Sequence, residues 1–167
     1  MLSVKSFTLL YLTLVPCILS AQENRFLKPE SGEIEIFNAG IQTLREFLLI
    51  PNLGSDKEHI KQNLIWCQQV FTDLDFHTST LVTKEVPVLF AEKKSQIQPA
   101  KTILFYLQID GQPFDPAEWT QKNPFKPVLK KPAGDKWEIL PWDSLTRTFQ
   151  PDWRIFGRST SDSKGNA

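Results

Sequence analysis

Two short polar segments contain the residue types that could do chemistry. The first, at 108–113, reads Gln-Ile-Asp-Gly-Gln-Pro and places Gln108 and Asp110 directly after an apolar run. The second, at 157–165, reads Gly-Arg-Ser-Thr-Ser-Asp-Ser-Lys-Gly and contains Asp162. Carboxylates can bind a metal ion or transfer a proton, so the two segments together suggest a functional site. Taken alone, the first segment is more typical of a turn, because Asp, Gly and Pro build turns.

The composition limits which partners and metals are available. Nineteen Lys and Arg residues balance nineteen Asp and Glu residues in 167, so no net charge attracts nucleic acid or anionic lipid. Hydrophobic residues make up 41%, which favours a soluble globular domain over a disordered chain. Two His and two Cys are too few for an all-protein zinc finger or a disulfide framework. Any metal must therefore depend on carboxylates.

The N-terminus has the pattern of a secretory signal peptide at 1–21. Lys5 provides a positive start, an almost uncharged apolar run extends from Phe7 to Leu19, and Ser20 and Ala21 provide small residues for a peptidase. The run is short for a transmembrane helix, which needs about 20 apolar residues. We therefore expect a secreted or periplasmic protein without membrane attachment, and a retained anchor is the alternative.

Export would leave residues 22–167 as the mature part of one domain. Lipidation at Cys17 is disfavoured, because Val15 and Pro16 are not the small residues that should precede a lipidated cysteine. Without residues 1–21, Cys67 is the only remaining thiol, so no intramolecular disulfide is expected.

Two amphipathic helices come first in the predicted fold. Apolar residues recur at helical spacing between Gly32 and Ile50, and Pro51 ends that helix. A second helix is predicted over about Asp56–Leu74, with Ser55 as its cap and Glu58 reaching back to complete a capping box.

Strands are predicted to follow the helices. Residues Phe76–Thr83 and Pro87–Ala91 have the content of a hairpin or neighbouring strand pair. The continuous apolar run Thr102–Leu107 predicts a central strand covered on both faces, whose carboxyl end is where ligands bind in open α/β sheets. Residues 114–151 are rich in Pro and Trp and predict ordered irregular structure, with one short strand at Lys136–Leu140.

In this order, after two helices, the two polar segments resemble the motifs of the co-catalytic dizinc exopeptidase and deacylase family. This family includes carnosinase-type dipeptidases, acetylornithine deacetylase and glutamate carboxypeptidase. Its first motif is Gly-His-variable-Asp, often followed by Val-Gln-Pro and an aspartate. Here residues 107–113 read Leu-Gln-Ile-Asp-Gly-Gln-Pro with Asp115 after them, so Asp110 matches and Gln108 replaces the histidine.

The second motif of the family is Gly-Arg-Gly, two small residues and Asp-Asp-Lys-Gly. Ser159 and Ser163 replace a glycine and the second acid of that motif. The residues that match are Gly157, Arg158, Asp162, Lys164 and Gly165.

The resemblance implies a role for each matched residue. Gln108 takes the position of a zinc ligand, Asp110 that of the catalytic aspartate that orients this ligand, and Asp162 that of the carboxylate bridging both zinc ions. An amide oxygen is a weaker zinc donor than imidazole, so one metal position is expected to be impaired. We expect Arg158 and Lys164 to neutralise the acidic site or to lie in solvent.

The implied fold is the incomplete N-terminal part of a three-layer α/β/α zinc-peptidase domain with a mostly parallel central sheet. The implied activity is metal-dependent hydrolysis of a peptide or dipeptide-like substrate by the full-length parent. A homodimer is implied only for that parent. His59 and His77 are far from the motifs in sequence and are read as structural histidines.

Several parts of the family pattern have no counterpart in the sequence. These are the adjacent glutamates that supply the general base and a ligand, the later acidic ligand, the late histidine and the inserted lid or dimerisation domain. We therefore expect this chain to be inactive by itself. The alternative is a degenerate, non-catalytic or binding member of the family.

Overall fold

The computed structural model describes residues 31–97, 99–147 and 150–167. The predicted signal peptide at 1–21 lies outside the described residues. None of the helices within the described ranges combines the length and the apolar character that a membrane span requires.

Both predicted helices are confirmed. Helix α1 covers Ser31–Leu49 and α2 covers Lys57–Asp73. The predicted cap of α2 is wrong, because Asp56 rather than Ser55 accepts the free backbone N–H groups. Its Oδ1 lies 2.9 Å from the N of Glu58 and 3.1 Å from the N of His59. The hydrogen bond from the His59 backbone contributes most to lowering the pKa of Asp56 below its ordinary value.

The predicted strand pair after the helices is confirmed as an antiparallel hairpin. Strand β1 covers His77–Leu81 and β2 covers Val88–Glu92. The register pairs His77 with Glu92 and Leu81 with Val88. Helix α2 packs against both strands. Helix and hairpin therefore form one local unit of consecutive elements.

A second antiparallel sheet has two of its strands in the region 114–151, which was predicted to be irregular, and its third strand just after that region. It has the order β4-β3-β5, with β3 at Val128–Ala133, β4 at Lys136–Leu140 and β5 at Arg154–Phe156. The prediction of a strand at β4 is confirmed. Strand β3 is not predicted from the sequence, because Pro132 argues against a central strand. Strand β5 is not predicted either, because its three residues are too few to show a strand pattern. Pro132 is tolerated because β5 pairs only with residues 128–130 and ends before reaching it.

The short connections in this region complete the described fold. Gly134, with φ of 61°, provides the left-handed position in the turn from β3 to β4. A four-residue helix, α3, covers Ser144–Arg147, and 3-10 turns cover Pro116–Glu118 and Lys164–Asn166.

The predicted three-layer α/β/α domain with a mostly parallel central sheet is wrong. Every ladder between strands in the described part of the chain is antiparallel. The run Thr102–Leu107 forms no strand, and the side chains of Phe105 and Tyr106 are 77% and 87% exposed. A continuous apolar run becomes a buried strand only when other strands pair with its backbone and layers cover its faces. Among the described residues, no strand pairs with this run.

The described core is small, and its hydrophobic residues come from α1, α2, β3 and α3. Its hydrophobic members are Phe47, Leu48, Ile60, Cys67, Leu129 and Leu145. Several polar side chains are buried beside them, most completely Asn52, Asn63 and Lys164. Buried polar side chains thus accompany the small apolar core.

The exposed run provides a direct test of this fold. We expect Phe105→Ser to change the free energy of unfolding by less than about 0.5 kcal/mol, because this side chain is already in solvent. Leu129→Ala, at a side chain only 1% exposed, is the positive control and should cost about 2–5 kcal/mol. Urea denaturation measures both. A loss in Phe105→Ser as large as that in Leu129→Ala would show that the run is part of a core.

Candidate functional site

Three segments that are far apart in sequence meet around Gly111. They are the α1–α2 loop at 50–54, the first polar segment at 108–113 and the second at 157–165. The backbone N of Gly111 donates to the carbonyl of Asn52 at 2.6 Å, and the N of Gly54 donates to the carbonyl of Gly111 at 2.9 Å. These bonds accompany an isolated parallel bridge between Leu53 and Gly111. The loop thereby fixes the backbone immediately after Asp110.

The buried side chain of Asn52 links all three segments. Its Nδ2 donates to the carbonyl of Ile109 at 2.8 Å, and its Oδ1 accepts from Ser159 Oγ at 3.0 Å. A Cβ at Gly111 would lie 3.0 Å from both Asn52 Oδ1 and Ser159 Oγ, so any side chain here would have to displace these two groups by a few tenths of an ångström. Nothing in the sequence marks Asn52 as part of a site, because an Asn after Pro51 is typical of an ordinary loop.

Side chains of the second segment bind directly to the backbone of the first. Ser163 Oγ donates to the carbonyl of Asp110 at 2.8 Å, across 53 positions of sequence. The guanidinium of Arg158 donates to the carbonyl of Gln112 and lies 5.5 Å from the ring centroid of Phe114. The two segments singled out by their residue types are therefore in contact.

Gly165 has a steric role in the second segment. A Cβ at this position would lie 1.8 Å from the carbonyl oxygen of Thr160, so any side chain would require the loop to open. This close approach explains a glycine after Lys164 without any reference to catalysis.

Lys164 is the most deeply buried charged residue described, with 1% of its surface exposed. Its Nζ donates to the carbonyls of Phe47 at 2.7 Å and Ile50 at 2.6 Å, and it lies 4.2 Å from the ring centroid of Phe47. The expectation that Lys164 neutralises acids or lies in solvent is therefore wrong. Instead its ammonium group caps the C-terminal end of α1, where carbonyls lack partners within the helix.

Burial changes the proton affinity of two neighbouring groups. Burial lowers the pKa of Lys164 from its ordinary 10.5 to about 7 and raises the pKa of the Cys67 thiol from 9.0 to about 11. A neutral amine still has two N–H groups, enough for both carbonyls that Lys164 binds. Deprotonation is therefore compatible with the observed hydrogen bonds.

The predicted site residues differ in their surroundings. Asp110 is half-buried, and its Oδ2 lies 3.1 Å from where a Cβ at Gly54 would be. Asp162 and Gln108 are exposed. His59 lies on the first turn of α2, with Nε2 3.6 Å from Asp56 Oδ2, and His77 is exposed at the start of β1.

The residues do not form a complete zinc site. Across the described ranges, no group of three or more His, Cys, Asp or Glu side chains is placed to hold a metal ion. Zinc in proteins normally has three or four protein ligands. The described residues by themselves therefore do not supply the full ligand set for the two zinc ions that the family resemblance implies, and zinc binding stays a prediction.

Comparisons with protein-family models, with curated proteins and with solved structures find no match to this chain. Membership of the dizinc family therefore stays a prediction. It depends on the residues of the two polar segments, above all Asp110 and Asp162.

The buried amine predicts a pH dependence of stability. Below about pH 7, folded and unfolded chains both carry the Lys164 proton, so the full cost of burying the charge is present. Above pH 7 the folded chain loses this proton while the unfolded chain keeps it up to about 10.5. The unfolded state then binds more protons, so this group makes the free energy of unfolding rise with pH.

We expect Lys164 to raise the free energy of unfolding by on the order of 1 kcal/mol per pH unit between about pH 7.5 and about pH 8.5. Lys164→Met should lose this contribution, and Lys122→Met, at an exposed lysine, should keep it. Urea denaturation at several pH values measures the slope. The Cys67 thiol makes the free energy of unfolding fall with pH, but only near and above its ordinary pKa of 9.0. Equal slopes in the original chain and in Lys164→Met would contradict the prediction.

Proposed function

We propose that this chain carries part of the site of a metal-dependent amide hydrolase of the dizinc exopeptidase and deacylase type. The substrate class is a peptide or dipeptide-like amide. The observation that supports the proposal is the hydrogen bond from Ser163 Oγ to the carbonyl of Asp110, at 2.8 Å. It brings together the two segments whose residues carry the family resemblance.

Asp162 has the setting of a preorganised ligand. Its carboxylate is exposed, whereas the next two residues, Ser163 and Lys164, are buried and hydrogen-bonded to distant backbone carbonyls. The backbone beside the carboxylate is therefore fixed while the carboxylate stays accessible to a ligand. Sites that are held by buried supporting contacts lose less entropy when they bind.

Asp110 is the second carboxylate assigned to the site. Its carbonyl accepts from Ser163, and the next residue, Gly111, is held by the α1–α2 loop. Both carboxylates thus lie on backbone that is fixed by the same set of contacts. A hydrolase also needs a general base within about 2.6–3.2 Å of the attacking water and further metal ligands. The described residues do not offer that set, so we propose that the chain alone is inactive.

A second candidate is a non-catalytic binding member of the same family. Gln108 favours it, because this exposed amide occupies the position of a zinc-binding histidine in the family motif. An uncharged amide oxygen is a poor replacement for imidazole nitrogen at zinc. The two candidates differ in whether restoring the histidine restores metal binding.

Zinc titration of the purified chain tests the assignment of residues. We expect Gln108→His to bind zinc at least about tenfold more tightly than the original chain, because imidazole is the better zinc donor. Adding Asp162→Asn to Gln108→His should remove that gain, whereas adding Asp152→Asn, at an exposed aspartate outside the motif residues, should leave it unchanged. Isothermal titration calorimetry with zinc measures the affinities. No gain in Gln108→His would contradict the hydrolase proposal and support the binding protein.

A peptidase assay tests the proposed inactivity of the chain alone. We expect no turnover of a dipeptide panel with zinc, manganese or cobalt, because the described residues lack a complete ligand set and a general base. Turnover that requires metal and disappears in Asp162→Asn would show that the site is complete. Mass spectrometry of the products gives the readout.

A further inference from the structure

A cleft of about 340 Å³ lies between the last turns of α1 and one end of the three-stranded sheet. It is open to solvent and has an apolar floor formed by the ends of β3 and β4 together with Leu49 of α1. The lining residues that decide its chemistry are Arg45, Leu49, Lys126, Ile139 and Trp142. None of them belongs to the three segments that meet at Gly111. The cleft is thus not explained by the proposed hydrolase site.

The cleft combines apolar surface with positive charge. The Arg45 guanidinium lies 4.9 Å from the ring centroid of Trp142, which holds the cation at the wall of the cleft. Lys126 is exposed and adds a second positive charge. Among the described lining residues there is no carboxylate, and no described ion pair involves Arg45 or Lys126. The described lining therefore carries two positive charges and no negative charge.

The apolar part of the cleft is incompletely covered. Ile139 is 62% exposed and Leu49 is 51% exposed. Each is a large apolar side chain whose contact with a ligand would remove surface from water, at about 25 cal/mol per Å². A molecule that fills the cleft would gain from these contacts as well as from the two cations.

We propose that this cleft binds a short apolar monocarboxylic acid, with its carboxylate on Arg45 and Lys126 and its tail on Leu49 and Ile139. Guanidinium binds carboxylate through two parallel hydrogen bonds, which gives the ligand its orientation. The volume lies at the small end of the range of about 300–1,000 Å³ for ligand sites, which favours a short tail.

The lining also distinguishes a free acid from the C-terminus of a peptide. A peptide would bring amide groups that need hydrogen-bonding partners when they leave water. No Ser, Thr, Asn or Gln side chain lines the described part of the cleft. Cations and apolar side chains alone suit a carboxylate on a hydrocarbon tail.

Titration of the full chain with octanoate, followed by calorimetry, tests the proposal. We expect a dissociation constant below about 1 mM. Octanol has the same tail without the charge, and acetate has the charge without the tail, so both should bind at least about tenfold more weakly. N-acetyl-leucine represents a peptide C-terminus and should also bind more weakly. Tighter binding of N-acetyl-leucine than of octanoate would overturn the assignment to a free acid.

Variants locate the site. Arg45→Gln should weaken octanoate binding at least about tenfold, and Lys126→Gln, at an exposed residue, should weaken it several-fold without affecting folding. Lys122→Gln, at an exposed lysine outside the lining, is the matched control and should bind as the original chain does. Unfolding midpoints of all variants verify that each one folds. Absence of octanoate binding, or equal binding by Lys126→Gln and the control, would overturn the proposal.

Discussion

The contact between the Lys164 ammonium and the end of α1 is the interaction on which the described site depends. Carbonyls at the C-terminal end of a helix lack intrahelical partners. The Lys164 side chain donates both to the carbonyl of Phe47, in the last turn of α1, and to that of Ile50 just after the helix, and the carbonyl of Phe47 also accepts from the N of Ile50 at 3.2 Å. The contact spans 117 positions, so it joins the last described segment to the first described helix. Ser163 is adjacent to Lys164 and reaches the carbonyl of Asp110 from this fixed position. If Lys164 left its place, the two polar segments would lose the support that brings them together.

Buried polar side chains hold the α1–α2 loop from several directions. Asn52 binds the carbonyl of Ile109, and Asn63 of α2 donates to the carbonyl of Pro51 at 2.7 Å. Lys164 Nζ donates a further hydrogen bond to the carbonyl of Ile50. These donors pair with backbone carbonyls, whereas the Oδ1 of Asn63 is buried without a hydrogen-bond partner, and such an unpaired atom is costly. The position of the loop therefore depends on several separate side-chain hydrogen bonds.

The exposed run at 102–107 leads directly into Gln108 and Asp110. The described strands pair only with each other, in two antiparallel sheets, and none of them pairs with this run. The backbone after Asp110 is instead held by the α1–α2 loop and by Ser163. In the described part of the chain, loop contacts rather than a sheet therefore fix the position of Asp110.

The sequence by itself determined the elements whose signals are local. Helical spacing predicted α1 and α2, and apolar and β-branched content predicted the β1–β2 hairpin, because these signals depend on residues a few positions apart. Residue types also indicated the segments containing Asp110 and Asp162. Tertiary structure decided which apolar run is paired and which polar side chains are buried. The run at 102–107 has the pattern of a central strand but finds no described partner, and Lys164 is buried on carbonyls more than 100 positions away. Local patterns do not encode such partners, because pairing and burial depend on groups that only the folded chain brings together.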